Sequence, residues 1–192
     1  LGEILAISAI TMCLLFVTVD IGHPERAWHM MPLLGRLNFP SSLLAWDFLV
    51  LNGYLALNVI IVFHLLFAAY QRRDYNHALI SPLVLLSIPA AIAIHTVTAF
   101  LYNGLAARPF WNSAILAPRF IASAFCSGPA ILVIVFQILR RTTRFHIQDE
   151  AIWKIAELMA YAMFLNLFLF GAEIFKEYYS GTQHLLYFTY LY

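Results

Sequence analysis

The sequence predicts an all-α fold: a polytopic transmembrane helix bundle forming a single domain over residues 1–192. Three observations predict it. The chain is 62% hydrophobic and 11% charged, against about 25% charged in an ordinary soluble domain. Its mean hydropathy is +0.80. Its apolar residues fall in long runs, each near the roughly 20 residues that a helix needs to cross the hydrocarbon core. A lipid-facing β-barrel would alternate polar and apolar residues over about ten positions. Helices are the remaining way to satisfy every backbone group in lipid.

The first span is Gly2–Val19. It lacks the basic start and small-residue cleavage site of a signal peptide. The second is Ser42–Tyr70, with Ser41 or Ser42 of "FPSS" as its N-cap. The third is Pro82–Asn103, with Ser81 as cap and Pro82 at the first helical position. The fourth is Ile115–Leu139 and the fifth Ala151–Tyr178, which Gly181 ends. The start of a sixth is expected near Thr182. Pro89 and Pro129 should kink their helices, which membrane helices tolerate when neighbours satisfy the freed carbonyls. Because the chain opens and closes inside apolar sequence, it is expected to be a fragment of a longer polytopic protein.

Cys13 and Cys126 both lie in apolar runs and read as small buried hydrophobes. No four cysteines are present for an iron–sulfur cluster, so any such cluster would belong to a partner. No basic tract suggests nucleic acid. Compact basic clusters at Arg72–Arg73 and Arg140–Arg144 favour the cytoplasm for the loops at 71–80 and 140–150. The stretch 20–41, the loop 104–114 and the turn 179–183 then lie on the outer face.

Charged groups within spans are expensive and usually functional. Asp47 sits about one and a half turns into its helix, roughly 8 Å deep. With each helix direction assigned, Asp20, His23, Asp47, His95, Tyr102, Arg119 and Glu173 share one depth on the outer side. Asp20 and His23 belong to "DIGHPERAWHMM", a helix junction dense in protonatable groups. A thinner inner set includes His64, Gln137, Asn52, Asn58, Glu157, Tyr161 and Asn166. Glu157 and Tyr161 are four residues apart and could continue a polar path with Asp20, Arg119 and Glu173. Structural readings stand beside these. Arg119, Lys154 and Lys176 can snorkel, and Trp28, Trp46 and Trp111 fit an interfacial aromatic belt. The asparagines fit interhelical hydrogen bonding, and the opening loop fits an amphipathic interfacial turn.

A quinol fits such an outer cluster. It gives up two electrons and two protons, and needs an apolar slot with His or carboxylate acceptors at its head. Intrinsic haem fits poorly, since His64 and His95 lie at different depths. Two rivals remain: a proton-conducting module without bound quinone, and a passive anchor whose loop grips a peripheral subunit.

Two motifs carry a family resemblance. "DIGHPER" at Asp20–Arg26 follows one helix, and "SSLLAWD" at Ser41–Asp47 opens the next. Together they resemble the NrfD/PsrC family of quinone-interacting membrane subunits, as does "HTVTAFLYNGLAARPFWNSAILAPRFIASAFCSG". The closing "FKEYYSGTQHLLYFTYLY" is most similar to the DsrP branch, from the DsrMKJOP complex of sulfate reducers. The resemblance covers nearly the whole chain. It implies a bundle of eight to ten helices in the cytoplasmic (inner) membrane, with no haem or iron–sulfur cluster of its own. Such a protein exchanges electrons between menaquinone, its bound substrate, and an iron–sulfur partner on the outer face. The carry-over gives His23 and Asp47 the proton chemistry, with Arg26 and Trp46 beside them and His95 and Tyr102 helping to hold the ring. In the DsrP case the partners are a periplasmic ferredoxin-like subunit, a multihaem cytochrome, and membrane cytochrome b-type and cytoplasmic iron–sulfur subunits.

Overall fold

The computed structural model describes residues 1–31, 35–105, 107–108, 111–144, 146–181 and 185–191. Among these there is no β-strand. Helices α1 (Gly2–Asp20), α2 (Leu43–Tyr70), α3 (His77–Asn103), α4 (Leu116–Thr142) and α5 (Asp149–Ser180) are each long and apolar enough to span a membrane. A short α6 (Leu185–Leu191) follows, and its expected start near Thr182 lies outside the described residues. The chain divides into two compact units, Leu1–Leu101 and Tyr102–Tyr192.

In the first unit α1 packs on α2. The buried residues Asp47, Leu51, Asn58 and Ile61 fall on one stripe of α2 at helical spacing. The large side chains elsewhere on these helices are exposed, among them Phe16, Phe63 and Leu66, as suits surfaces facing lipid rather than water. Ser42 caps α2, its hydroxyl accepting from the Ala45 N–H at 3.4 Å. Gly22 ends α1 with φ +78°. The stretch that follows is a tight 3₁₀ turn, Pro24–Met30, with Pro24 at its first position. Gly35 returns against it so closely that a Cβ there would lie 1.9 Å from the His29 carbonyl oxygen.

The third helix begins earlier than the sequence suggests. Asn76, not Ser81, opens it: its side-chain oxygen accepts from the Ala78 N–H at 3.1 Å, and its own N–H donates to His64 Nε2 at 3.3 Å. The helix then runs through Pro82 and Pro89. In the second unit α4 packs on α5. Here too the helices outrun their apolar segments. Arg140 and Arg141 complete the last turn of α4, while Asp149 and Glu150 form the first turn of α5. Each sign sits at the helix end whose dipole favours it, and Arg140 pairs with Asp149. Gly181 ends α5 in the left-handed conformation, φ 56° and ψ 37°, as expected. Cys126 is buried, but Cys13 is exposed. An exposed thiol on a spanning helix can face lipid, which is as apolar as a protein core.

Packing of the α2 stripe should be measurable. Ile61 is 0% exposed, whereas the adjacent Ile60 is 51% exposed. Ile61→Ala is expected to cost about 2–4 kcal/mol and Ile60→Ala clearly less, read by thermal unfolding of the detergent-solubilised protein.

Candidate functional site

Asp47 is buried, 3% exposed, in the second turn of α2. A carboxylate carries only acceptors, and the backbone N–H groups around it are already bonded within the helix. Its donor must come from elsewhere. Thr98 of α3 supplies it, the hydroxyl donating to Asp47 Oδ1 at 2.7 Å. One turn before Thr98, His95 holds its Nδ1 2.8 Å from the Ala91 carbonyl. A carbonyl only accepts, so Nδ1 carries a hydrogen, and in the neutral ring Nε2 is then the acceptor. His95 and Thr98 are three residues apart and share a face of α3. On the α1 side, Cys13 lies within electrostatic reach of Asp47.

Trp46 directs its indole N–H to the Pro40 carbonyl at 2.9 Å and packs on Phe39, centroids 4.5 Å apart. Its donor is thus engaged and its ring surface remains. The exposed 3₁₀ turn satisfies itself. His23 Nδ1 lies 2.9 Å from Glu25 Oε1, and Trp28 meets His29 edge-on at 4.0 Å. Among the described residues no hydrogen bond or ion pair joins Asp20, His23 or Arg26 to Asp47.

The second unit holds its own polar cluster. Glu173 on α5 is 4% exposed and pairs with Arg119 of α4, whose guanidinium lies 5.1 Å from the Phe170 ring centroid. One turn further Glu177, 2% exposed, pairs with Lys176 at 3.2 Å. Tyr102 sits in an aromatic group, 5.2 Å from Trp111 and 5.8 Å from Phe120. On an exposed face of α5, Lys154 and Tyr161 both bond Glu157, at 2.8 and 3.1 Å. Among the described residues no three His, Cys, Asp or Glu side chains gather as a metal site.

The asparagines behave differently from expectation. Asn52 and Asn58 donate to the carbonyls of Phe48 and Tyr54 on their own helix, both at 2.8 Å, rather than across to a neighbour. The sequence alone passes over Glu177 and places Thr98 beside His95 in the outer half of the third helix without giving it a role. Glu177 follows Glu173 at four-residue spacing, a pattern that could have shown it on the same face. Thr98 stands three residues after His95, but nothing in sequence says which way a hydroxyl turns.

This chemistry can be set beside known proteins. The model of the family described as "Polysulphide reductase, NrfD" matches residues 1–191. The chain belongs to the NrfD family. As an NrfD-family protein with five spanning-length helices it is a multi-pass membrane protein. It is 29% identical over 189 residues to a Halobacterium salinarum protein provisionally named as a membrane subunit of dimethyl sulfoxide reductase, covering 90% of this chain and 42% of that one. It is 23% identical to a selenate reductase subunit of Mesobacillus selenatarsenatis, with 89% and 46% covered. It is also 23% identical to the Hdr-like menaquinol oxidoreductase integral membrane subunit of Archaeoglobus fulgidus, with 94% and 43% covered. The NrfD-family chain therefore spans less than half the length of these relatives. No solved structure matches it.

The Arg119–Glu173 pair gives a stability test. Arg119→Met leaves a buried carboxylate without its cation and is expected to cost about 3–5 kcal/mol. Arg119→Met with Glu173→Gln should recover a large part of that loss, measured as a double-mutant cycle of thermal unfolding in detergent.

Proposed function

We propose that this NrfD-family chain belongs to the quinone-reactive membrane subunit of a respiratory oxidoreductase complex in the cytoplasmic membrane. It exchanges electrons between menaquinone or menaquinol and an iron–sulfur partner protein at the outer face, with proton transfer linked to the quinone. Buried Asp47 carries the reading. It is an in-span carboxylate, bonded by one hydroxyl, with His95 one turn along the same face as that hydroxyl. A quinol head supplies two hydroxyl protons, and Asp47 with His95 offers two acceptors beside the Trp46 ring. In this reading His23 shares the proton transfer with Asp47, and Arg26 orders the 3₁₀ turn.

The names of the relatives support membership of a reductase complex, and one of them is named for menaquinol. Within the family we place the chain with the DsrP branch, on the resemblance of its closing stretch. Its partners are then the ferredoxin-like, multihaem cytochrome, cytochrome b-type and cytoplasmic iron–sulfur subunits of such a complex. The chain itself holds no haem or cluster.

A second reading, a proton-conducting module without bound quinone, draws on the Lys154–Glu157–Tyr161 hydrogen bonds and on buried Glu173. It makes Glu157→Gln as damaging as Asp47→Asn. The quinone reading predicts instead that Asp47→Asn lowers quinol-dependent reduction of the partner by at least about 100-fold, and that His23→Ala lowers it too, in complexes that still assemble. Normal turnover in both variants would sink the site assignment.

A further inference from the structure

We infer that Thr98 is a positioning residue for Asp47: its hydroxyl holds one carboxylate oxygen and so selects the other for proton transfer. This rests on the reading of Asp47 as the proton group of a quinone site.

The behaviour of the other threonines shows that Thr98 is a departure. A threonine inside a helix ordinarily returns its hydroxyl to a carbonyl about one turn back. Thr11, Thr18, Thr96 and Thr142 all do so, to Ile7, Leu14, Ile92 and Ile138. Thr189 does the same to Leu185. Thr96, two residues away and so on another face of the same helix, keeps to that habit. Thr98 instead gives its hydrogen to a side chain on another helix.

The consequence for Asp47 follows from donor arithmetic. A hydroxyl has one hydrogen, and at 2.7 Å it is given to Oδ1. That bond fixes the carboxylate rotamer and lowers the basicity of Oδ1 relative to its twin. Oδ2 has no hydrogen-bond donor among the described residues, so it is the oxygen left to take a proton. In its neutral form His95, on the face that carries Thr98, offers Nε2 as a second acceptor. Thr98 thus acts through Asp47 and needs no contact with the quinone.

The test uses the assembled complex, with Thr98→Val (similar shape, no hydroxyl) and Thr98→Ser (hydroxyl kept). Thr98→Val is expected to lower kcat for quinol oxidation about 10- to 100-fold, with KM and quinol-analogue affinity within about threefold. Thr98→Ser should restore most of the rate. Added to Asp47→Asn, Thr98→Val should cause no further loss, because both act on one group. Wild-type kcat in Thr98→Val, with Asp47→Asn inactive, overturns the role of Thr98 and leaves the site reading intact. Full turnover in Asp47→Asn overturns the site reading itself. If Thr98→Val fails to assemble, Thr98→Ala replaces it. A serine variant as slow as the hydroxyl-free one, or a change in KM alone, reduces Thr98 to a structural tie and overturns the proposal.

Discussion

Lipid hydrocarbon supplies no hydrogen bonds, and a polar group left unpaired there costs several kcal/mol. The polar side chains of this protein meet that constraint in two ways, and chemistry decides which. Groups with a hydrogen to give can turn back on their own helix. Asn52, Asn58, His95 and most of the hydroxyls do this, each using a carbonyl one turn earlier. A carboxylate has nothing to give. It needs a donor from another side chain: Glu177 finds Lys176 on its own helix, while Asp47 and Glu173 reach donors on other helices, Thr98 and Arg119 respectively. In each unit, a buried carboxylate ties one helix to another through a polar contact. The pairs differ in kind. Glu173 has a full cation, which suits a permanent structural charge, while Asp47 has a neutral hydroxyl, which suits a group that changes its proton.

The two sequence motifs do different physical work. The residues around "SSLLAWD" build a helix start. Ser42 caps it, Trp46 ties the incoming chain at Pro40, and together they fix how far into α2 Asp47 lies. "DIGHPERAWHMM" instead forms a turn that satisfies itself, through His23 with Glu25 and Trp28 with His29. Gly35 closes against its backbone where no side chain would fit, which holds the turn compact.

Much of this was legible in sequence because the bilayer writes in simple units. The five spans, the Ser42 cap and the left-handed Gly181 follow from apolar run length and end chemistry. The depth of Asp47 follows from its helix start, and its oddity from composition alone. The helix ends were less legible, because charged residues that suit the helix dipole lie outside the apolar run: Arg140 and Arg141 on α4, Asp149 and Glu150 on α5. Helix α3 hid its start behind Ser81–Pro82, while Asn76 used both a side-chain oxygen and the distant His64 ring to begin five residues sooner. Partner choice was the least legible. Thr96 and Thr98 are the same residue type on the same helix, and only tertiary contact distinguishes them.

Helix α1 shows what backbone-directed hydroxyls do for a chain entering a membrane. Ser8, Thr11 and Thr18 each donate to a carbonyl of α1 itself, at Ile4, Ile7 and Leu14. No hydroxyl hydrogen is left pointing outward. To the translocon and to the surrounding acyl chains, α1 is then a smoother rod than its side-chain list suggests. Its insertion free energy should run closer to that of an alanine-substituted helix than a per-residue sum would give. None of these three hydroxyls obliges α1 to wait for a neighbour before partitioning into lipid.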